Sequence, residues 1–292
     1  MQLDMFGKTR YKVNLHMHTT LSDGQLTPAE AVQRYRNAGY DAVALTDHWF
    51  FGHGGEEDGF TVLPGVEYDC GTGNACRGVY HIVGIGMRYE PSVKKGMSAQ
   101  GIIDAIKKAG GLAVLAHPAW SLNTPEQILP LKHVDATEIY NSVSGKHMSR
   151  RPDSSLIVDM LGCLGRYYSL LATDDAHYYD GDECVSWIMV EAADVSPEFL
   201  IPAIRAGRFY ATQGPEVHLL QQEDGSFAVR CSPCREIVLY SNLAWTTRVF
   251  TGEGITEAVY TPRSSEAFLR AEVVDENGLR AWSNIVVLGE KK

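Results

Sequence analysis

The sequence predicts an α/β chain in which a barrel of parallel strands is followed by a small antiparallel β-domain. From residue 11 to about 212, short apolar runs alternate with helical patterns. Such alternation implies parallel pairing through right-handed crossovers, and seven or eight such units close into a barrel. Acids and histidines recur at the ends of these runs, where enzymes built on parallel strands keep their chemistry. After Gly207 the helical patterns stop, and turn signals at hairpin spacing take over.

The expected strands are Val13–His16, Ala42–Thr46, Val62–Glu67, Tyr80–Ile85, Leu112–His117, Ala136–Tyr140, Tyr168–Thr173 and Ser186–Val190. Between them stand helix starts. Thr27-Pro28-Ala29-Glu30 carries a capping box with Pro at the first helical position, and Ala38-Gly39 stops that helix. Ser98 caps a run through Lys108 that Gly110-Gly111 ends. Thr124-Pro125-Glu126 and Ser196-Pro197-Glu198 start two more helices, and Pro152 is expected in the first turn of another. Beyond Gly207 the runs Ala228–Arg230, Glu236–Tyr240, Arg248–Phe250, Ala258–Tyr260, Ala267–Val274 and Asn284–Leu288 are separated by Glu223-Asp224-Gly225, Glu253-Gly254 and Glu276-Asn277-Gly278. The chain therefore divides into a barrel over 1–212 and a small β-sandwich-like domain over 213–292, the boundary falling between 207 and 218.

The 292 residues, 45% hydrophobic and 21% charged, suit one large domain or a medium domain with a small one. A formal net charge of −10 argues against an extended nucleic-acid surface, because phosphate contacts need clustered Lys and Arg. It leaves room for a small anionic substrate, since bound cations dominate the field inside a site. The N-terminus lacks the apolar core of a signal peptide, and no stretch approaches the length of a membrane span, so a cytoplasmic location without a membrane partner is expected. Six cysteines are scattered, and Cys231-Ser232-Pro233-Cys234 is the one CxxC. A zinc ribbon needs a second such pair, so a chance pair on a strand is the better account.

His16 and His18 stand i, i+2 at the end of the first run, so on an extended strand both reach one ion. Asp47-His48, Glu67, His117 and Asp174-Asp175-Ala176-His177 close later runs, and His81 opens or lies within its own. A lone strand-end His is ordinarily a hydrogen-bonded structural residue, and Asp there an ordinary turn or cap residue. Recurrence at one strand end after another points instead to a polynuclear metal site, with imidazoles suited to Zn, Fe, Mn, Ni or Cu and carboxylates that allow more than one ion to be bridged. His53, in a glycine-rich loop, could touch substrate, whereas His133, His147 and His218 read as structural or exposed. Lys146, Arg150 and Arg151 form a basic cluster on a strand-to-helix loop, and Trp49, Phe50, Phe51 and Trp120 directly follow His48 and His117. The cluster could hold an anion and the aromatics could stack a base or aryl group; a solvated loop and loop packing explain them equally.

His16-Met17-His18 with Asp23, Thr46-Asp47-His48, Gly65-Val66-Glu67, His81, Ala116-His117-Pro118 and Asp175-Ala176-His177 together resemble the PHP family of phosphoesterases. The resemblance implies a distorted (β/α)7, TIM-like barrel with two or three divalent metals, Mn, Fe or Zn, at the strand ends. It further implies that His16, His18, Glu67 and Asp175 hold one ion. Glu67 would bridge to a second ion held with His81 and His117, and Asp23, His48 and His177 would hold a third. Glu67, Asp175 and His177 would carry catalysis, and Lys146, Arg150, Trp49 and Trp120 are the candidates for binding substrate. Two metals about 3.5–4 Å apart could share a bridging hydroxide that attacks phosphorus in line. The implied activity is hydrolysis of a small phosphorylated metabolite, nucleotide or short oligonucleotide. The C-terminal piece looks like a branch of the family with an appended β-domain, some of whose members cleave aryl ester or carbamate bonds. A hydrolase of aryl ester, carbamate or amide bonds, and a non-catalytic metal-binding module, are therefore the competing readings.

Overall fold

The computed structural model describes residues 1–245 and 248–289. Strands β1 (Gln2–Leu3) and β2 (Thr9–Asn14) open the chain, followed by helix α1 (Pro28–Asn37) and β3 (Ala42–Ala44). Next come β4 (Gly55–Glu57), β5 (Phe60–Leu63), β6 (Gly65–Gly71), β7 (Val79–Ile85), α2 (Ala99–Lys108), β8 (Leu112–Leu115) and α3 (Pro125–Ile128). They lead to β9 (Ala136–Asn141), α4 (Ser142–Lys146), α5 (Ser155–Cys163), β10 (Ser169–Thr173), β11 (Trp187–Glu191), α6 (Pro197–Arg205) and β12 (Phe209–Thr212). The C-terminal region is all strand: β13 (Val217–Gln221), β14 (Phe227–Tyr240), β15 (Val249–Tyr260), β16 (Phe268–Val274), β17 (Arg280–Trp282) and β18 (Val286–Val287).

The capping chemistry works as expected. The Thr27 hydroxyl accepts from the Glu30 amide while the Glu30 carboxylate accepts from Thr27, and Ser98 caps α2 through the Gly101 amide. Two expectations about helices fail. Pro152 lies outside α5, which begins at Ser155, and the short helix α4 has no counterpart in the expected elements. The expected strand Val62–Glu67 is broken at Pro64, which has no N–H to give to a ladder, so β5 and β6 join different sheets.

The fold is a two-domain, mixed α/β arrangement, but its ladders do not run round a closed (β/α)7 barrel. One sheet of five strands has the order β10-β9-β8-β7-β6, and a larger one runs β13-β14-β16-β17-β12-β11-β2-β3-β5-β4. The two meet near the site through isolated parallel bridges, Met17 with Ala176 and His48 with Glu67. Nor are all the strands parallel. β7 is antiparallel to both β6 and β8, and β11 is antiparallel to β2. The β6–β7 pair is a hairpin whose connection holds Thr72-Gly73 and one 3-10 turn, Ala75–Arg77, too short to serve as a crossover helix. Few helices cover the sheets, so a repeating strand–helix unit describes only part of the chain.

The C-terminal strands continue the larger sheet rather than forming a separate sandwich. β12 pairs with β17, and β17 with β16. Two expected pairs of runs are single long strands, β14 and β15, joined with register shifts; the Glu253-Gly254 turn signal lies inside β15. In one of those irregularities Cys231 and Cys234 both become buried, with sulfurs 3.6 Å apart. Trp282 of β17 is fully buried in the same cluster as Val13, Leu171 and Ile188, and it stacks on Tyr140. Arg270 of β16, wholly buried, forms a bidentate pair with Asp159 of α5. No described helix is long and apolar enough to cross a membrane.

Candidate metal centre

The chain leaves β2 carrying His16 and His18, both buried, with ring centroids 5.3 Å apart. Their Nε2 atoms converge on two carboxylates. His16 Nε2 lies 3.3 Å from Glu67 Oε2 and 3.1 Å from Asp175 Oδ1, and His18 Nε2 lies 3.1 and 3.0 Å from the same oxygens. Glu67 comes from β6, and Asp175 from the turn after β10. These four groups form one converging donor set.

Glu67 is shared further. His48 Nδ1 is 3.2 Å from Oε2, while His81 Nδ1 and His117 Nε2 are 2.9 and 3.4 Å from Oε1. Of these, His48, Glu67 and His81 converge most tightly, and His117 stands beside them, its ring 4.9 Å from that of His81. Because β7 runs antiparallel, its beginning lies where the parallel strands end. That places His81, near the start of a strand, among residues that close theirs. A third set joins His18, Asp23, His48 and His177, with Asp23 3.4–3.8 Å from the three imidazoles. His48 offers Nδ1 to Glu67 and Nε2 to Asp23, so it links the two sets. Asp23 is the most open member, its side chain 54% exposed.

Supporting residues orient these groups. Glu138 Oε1 lies 2.6 Å from His16 Nδ1, while Oε2 accepts from the His117 amide and from Asn141 Nδ2, both at 2.8 Å. His16 Nδ1–H therefore donates to Glu138, which turns Nε2, the nitrogen left to meet an ion, toward Glu67 and Asp175. His177 Nδ1 likewise donates to the Asp175 carbonyl at 2.7 Å, leaving Nε2 toward Asp23. Asp47 accepts from the Thr19 amide, the Thr19 hydroxyl and the Ser22 hydroxyl, pinning the loop that carries His18 and Asp23. Gly24 closes that loop so tightly that a Cβ there would stand 2.3 Å from the His18 carbonyl oxygen. Asp174 faces away from the centre and ties Tyr35, Ser142 and the amides of 184–186 together, and burial pushes its carboxyl up to about 7. Trp49, His117 and Asp175 sit at φ of 57, 28 and 53°. Non-glycine residues there carry strain of roughly 1–3 kcal/mol each, which the surrounding packing must hold.

Electrostatics agree with a cation-seeking site. Burial opposes charging of His16 and His18, yet Asp175 and Glu67 outweigh it and hold both imidazoles well above their usual range. Burial likewise opposes ionisation of Glu67 and Asp175, but the surrounding imidazoles, His16 foremost, hold both carboxyls far below the usual range. For His48, burial prevails and keeps the ring neutral, the form that ligates. Two buried donor atoms, Asp175 Oδ1 and His48 Nδ1, have no hydrogen-bond partner although each stands beside opposite-type groups. Buried polar atoms without partners are rare, and ones aimed into a set of imidazoles and carboxylates fit a divalent ion. The residues present thus fit the metals the sequence implies.

A cleft of about 170 Å³ opens beside the donors, lined by Asp23, His48, Glu67, His81, Asp175 and His177. Its remaining walls are Trp120, Val143, Ser144 and Met148. Of the four residues expected to bind substrate, Trp120 is on this wall. Lys146 is turned to Asp180, bonding its carbonyl and approaching its carboxylate at 3.4 Å. Trp49 packs on Tyr68, donates its indole N–H to Asp69, and lies under the Lys95 ammonium. Arg150 is exposed and not part of the lining. Val143, Ser144 and Met148 escaped the sequence reading because α4 did; the one signal was Asn141, whose side chain caps α4 through the Ser144 amide. A larger cavity of about 490 Å³ lies elsewhere, and its Arg10 and His218 are already paired with Asp4, Glu191 and Glu216.

An α/β scaffold thus gathers imidazoles and carboxylates that could hold metal ions at one end of its strands. Residues 14–131 match the PHP domain family. A 3',5'-nucleoside bisphosphate phosphatase from Chromobacterium violaceum is 33% identical over 107 residues, 34% of this chain and 36% of that protein. The match thus spans little more than a third of that relative's length. A two-domain protein from Bacteroides vulgatus, described as containing a PHP-like metal-dependent phosphoesterase, superposes with a TM-score of 0.55. It shares 16% identity, with 99% of this chain and 98% of that one covered, so the two-domain fold extends over the whole length. An amidohydrolase from Chromobacterium violaceum matches less well, with a TM-score of 0.42, 19% identity, and coverage of 58% of this chain and 89% of its own.

Proposed function

We propose that this protein is a metal-dependent phosphoesterase acting on a small phosphorylated metabolite, nucleotide or short oligonucleotide. The observation that carries the reading is Glu67, a buried carboxylate whose two oxygens are approached by five imidazoles. That is the arrangement expected of a group that bridges ions. His16, His18, Glu67 and Asp175 would hold one ion, Glu67 with His81 and His117 a second, and Asp23, His48 and His177 a third. Bound there, divalent Mn, Fe or Zn would supply Lewis acidity toward phosphate oxygens and a strong nucleophile near neutral pH.

The chain's own residues do the positioning. Glu138 and the Asp175 carbonyl fix the tautomers of His16 and His177, and Asp47 holds the loop bearing Asp23. Glu67, Asp175 and His177 border the cleft where the reacting group would sit, and Trp120 stands on its wall. The relative named as a bisphosphate phosphatase supports phosphate ester as the bond class. We place the domain boundary at 212/213, where the chain leaves β12, with the PHP unit before it and the β-rich unit after it.

A panel of p-nitrophenyl phosphate, bis(p-nitrophenyl) phosphate and an aryl carboxylic ester tests the reading. Turnover of a phosphate ester by metal-loaded protein is expected; turnover of the carboxylic ester alone would refute it. Glu67→Gln should lose metal and activity together, more than any single His substitution. Normal metal content and turnover in that variant would remove Glu67 from the bridging role.

A further inference from the structure

We infer that the non-reacting part of the substrate is apolar or aromatic and carries no second phosphate, so that an aryl phosphate monoester represents its class. This inference rests on the phosphoesterase reading and narrows it. The cleft holds about 170 Å³, below the roughly 300–1,000 Å³ typical of pockets for drug-sized ligands. It can enclose the reacting group and little more than one ring.

The chemistry of the walls points the same way. Beyond the candidate ligands, the lining is Trp120, Val143 and Met148, with the neutral Ser144. No Lys or Arg is among the described lining residues. A second phosphate needs a cation cluster, a guanidinium fork or free backbone amides. Two amides of α4 are already used, Val143 N–H by the Asp174 carbonyl and Ser144 N–H by Asn141. Lys146 is engaged by Asp180, and Lys95 by Asp69 and the Trp49 ring. Asp23, half-exposed on the wall, would repel a second anion.

Apolar recognition, by contrast, is built in. Trp120 is held by edge contacts to His81 and His117, ring centroids 5.4 and 4.9 Å apart, so its position is set before substrate arrives. Met148 lines the cleft while remaining 40% exposed, an apolar surface that a bound ring would cover. This wall departs from what a bisphosphate substrate, as in the name of the partial relative, would require.

The test measures binding and turnover separately on metal-loaded protein. Calorimetry compares phenylphosphonate with methylphosphonate, and an adenosine 3',5'-bisphosphate with adenosine 5'-monophosphate. Phenylphosphonate is expected to bind at least tenfold tighter than methylphosphonate, and the bisphosphate no tighter than the monophosphate. Trp120→Ala and Met148→Ala should erase the phenyl preference, while Trp120→Phe and Met148→Leu, which keep the wall filled, should retain most of it. Equal binding of the two phosphonates, or a bisphosphate bound tenfold tighter with steep salt dependence, overturns the inference. Hydrolysis of bisphosphates in preference to phenyl phosphate overturns it too, while leaving the phosphoesterase reading intact. The expected binding order without hydrolysis of any phosphate ester would instead remove the phosphoesterase reading and keep the apolar wall.

Discussion

Replacing Glu138 by Gln should weaken metal binding without reshaping the centre. Glu138 touches no proposed ion; it holds His16 through Nδ1 at 2.6 Å and accepts two further hydrogen bonds at 2.8 Å from the His117 amide and Asn141. Gln keeps the shape, removes the charge and replaces one acceptor with an NH₂. Facing His16, that NH₂ meets Nδ1–H donor to donor; turned the other way, it opposes the His117 and Asn141 donors. At least one charge-assisted bond is lost in either case, worth about 1.5–3 kcal/mol. At about 1.4 kcal/mol per decade, that weakens the ion held by His16 by roughly 10- to 150-fold, close to what removing such supporting partners typically costs. Calorimetric titration of chelator-treated protein with Mn²⁺ or Zn²⁺ reads the change directly, and circular dichroism confirms the fold. Binding within twofold of the unaltered protein would refute the role assigned to Glu138. So would a uniform loss reproduced by substituting a buried residue far from the centre.

Other perturbations test the scaffold. Trp282→Ala empties a buried site between the C-terminal strands and the N-terminal core, and should cost about 3–5 kcal/mol in chemical denaturation. A loss under 1 kcal/mol would mean the two regions are less interdependent than the shared sheet implies. Asp4 accepts from Arg10 and from the Phe6 and Lys8 amides; burial opposes its ionisation, but these bonds hold its carboxyl below the usual value. Its folded pKa is depressed, so its stabilisation is present above the unfolded value and lost as pH falls through the folded one. Asp4→Asn should therefore lower Tm at pH 7 and flatten the fall in Tm below about pH 4; an unchanged acid limb would contradict this.

The proposed ligands were legible because the chemistry is local. His16 and His18 share a face by strand periodicity, and His48, Glu67, His117, Asp175 and His177 each follow an apolar run. What stayed hidden depends on distant pairing. Nothing within Val79–Ile85 reveals that β7 is antiparallel, and that orientation is what brings His81 to the ligand end. Pro64 could have warned that Val62–Glu67 is not one strand. The merging of the C-terminal strands into the main sheet rests on β12 pairing with residues about 70 positions later, beyond any local pattern. Trp49 stands out by its adjacency to His48 and Lys146 by its basic neighbours Arg150 and Arg151, yet neither cue sets side-chain direction, and Asp69 and Asp180 claim the two side chains. Val143 and Met148 needed α4, a helix too short to show apolar periodicity.

In the proposed function, the Glu67-centred cluster binds divalent ions that drive phosphate ester hydrolysis. Metal analysis of chelator-treated and reconstituted protein, paired with p-nitrophenyl phosphate turnover on the same samples, tests it most directly. At least two equivalents of Mn, Fe or Zn per chain are expected, with turnover lost on stripping and regained on reloading. Fewer than two equivalents, or turnover unaffected by stripping, would contradict it.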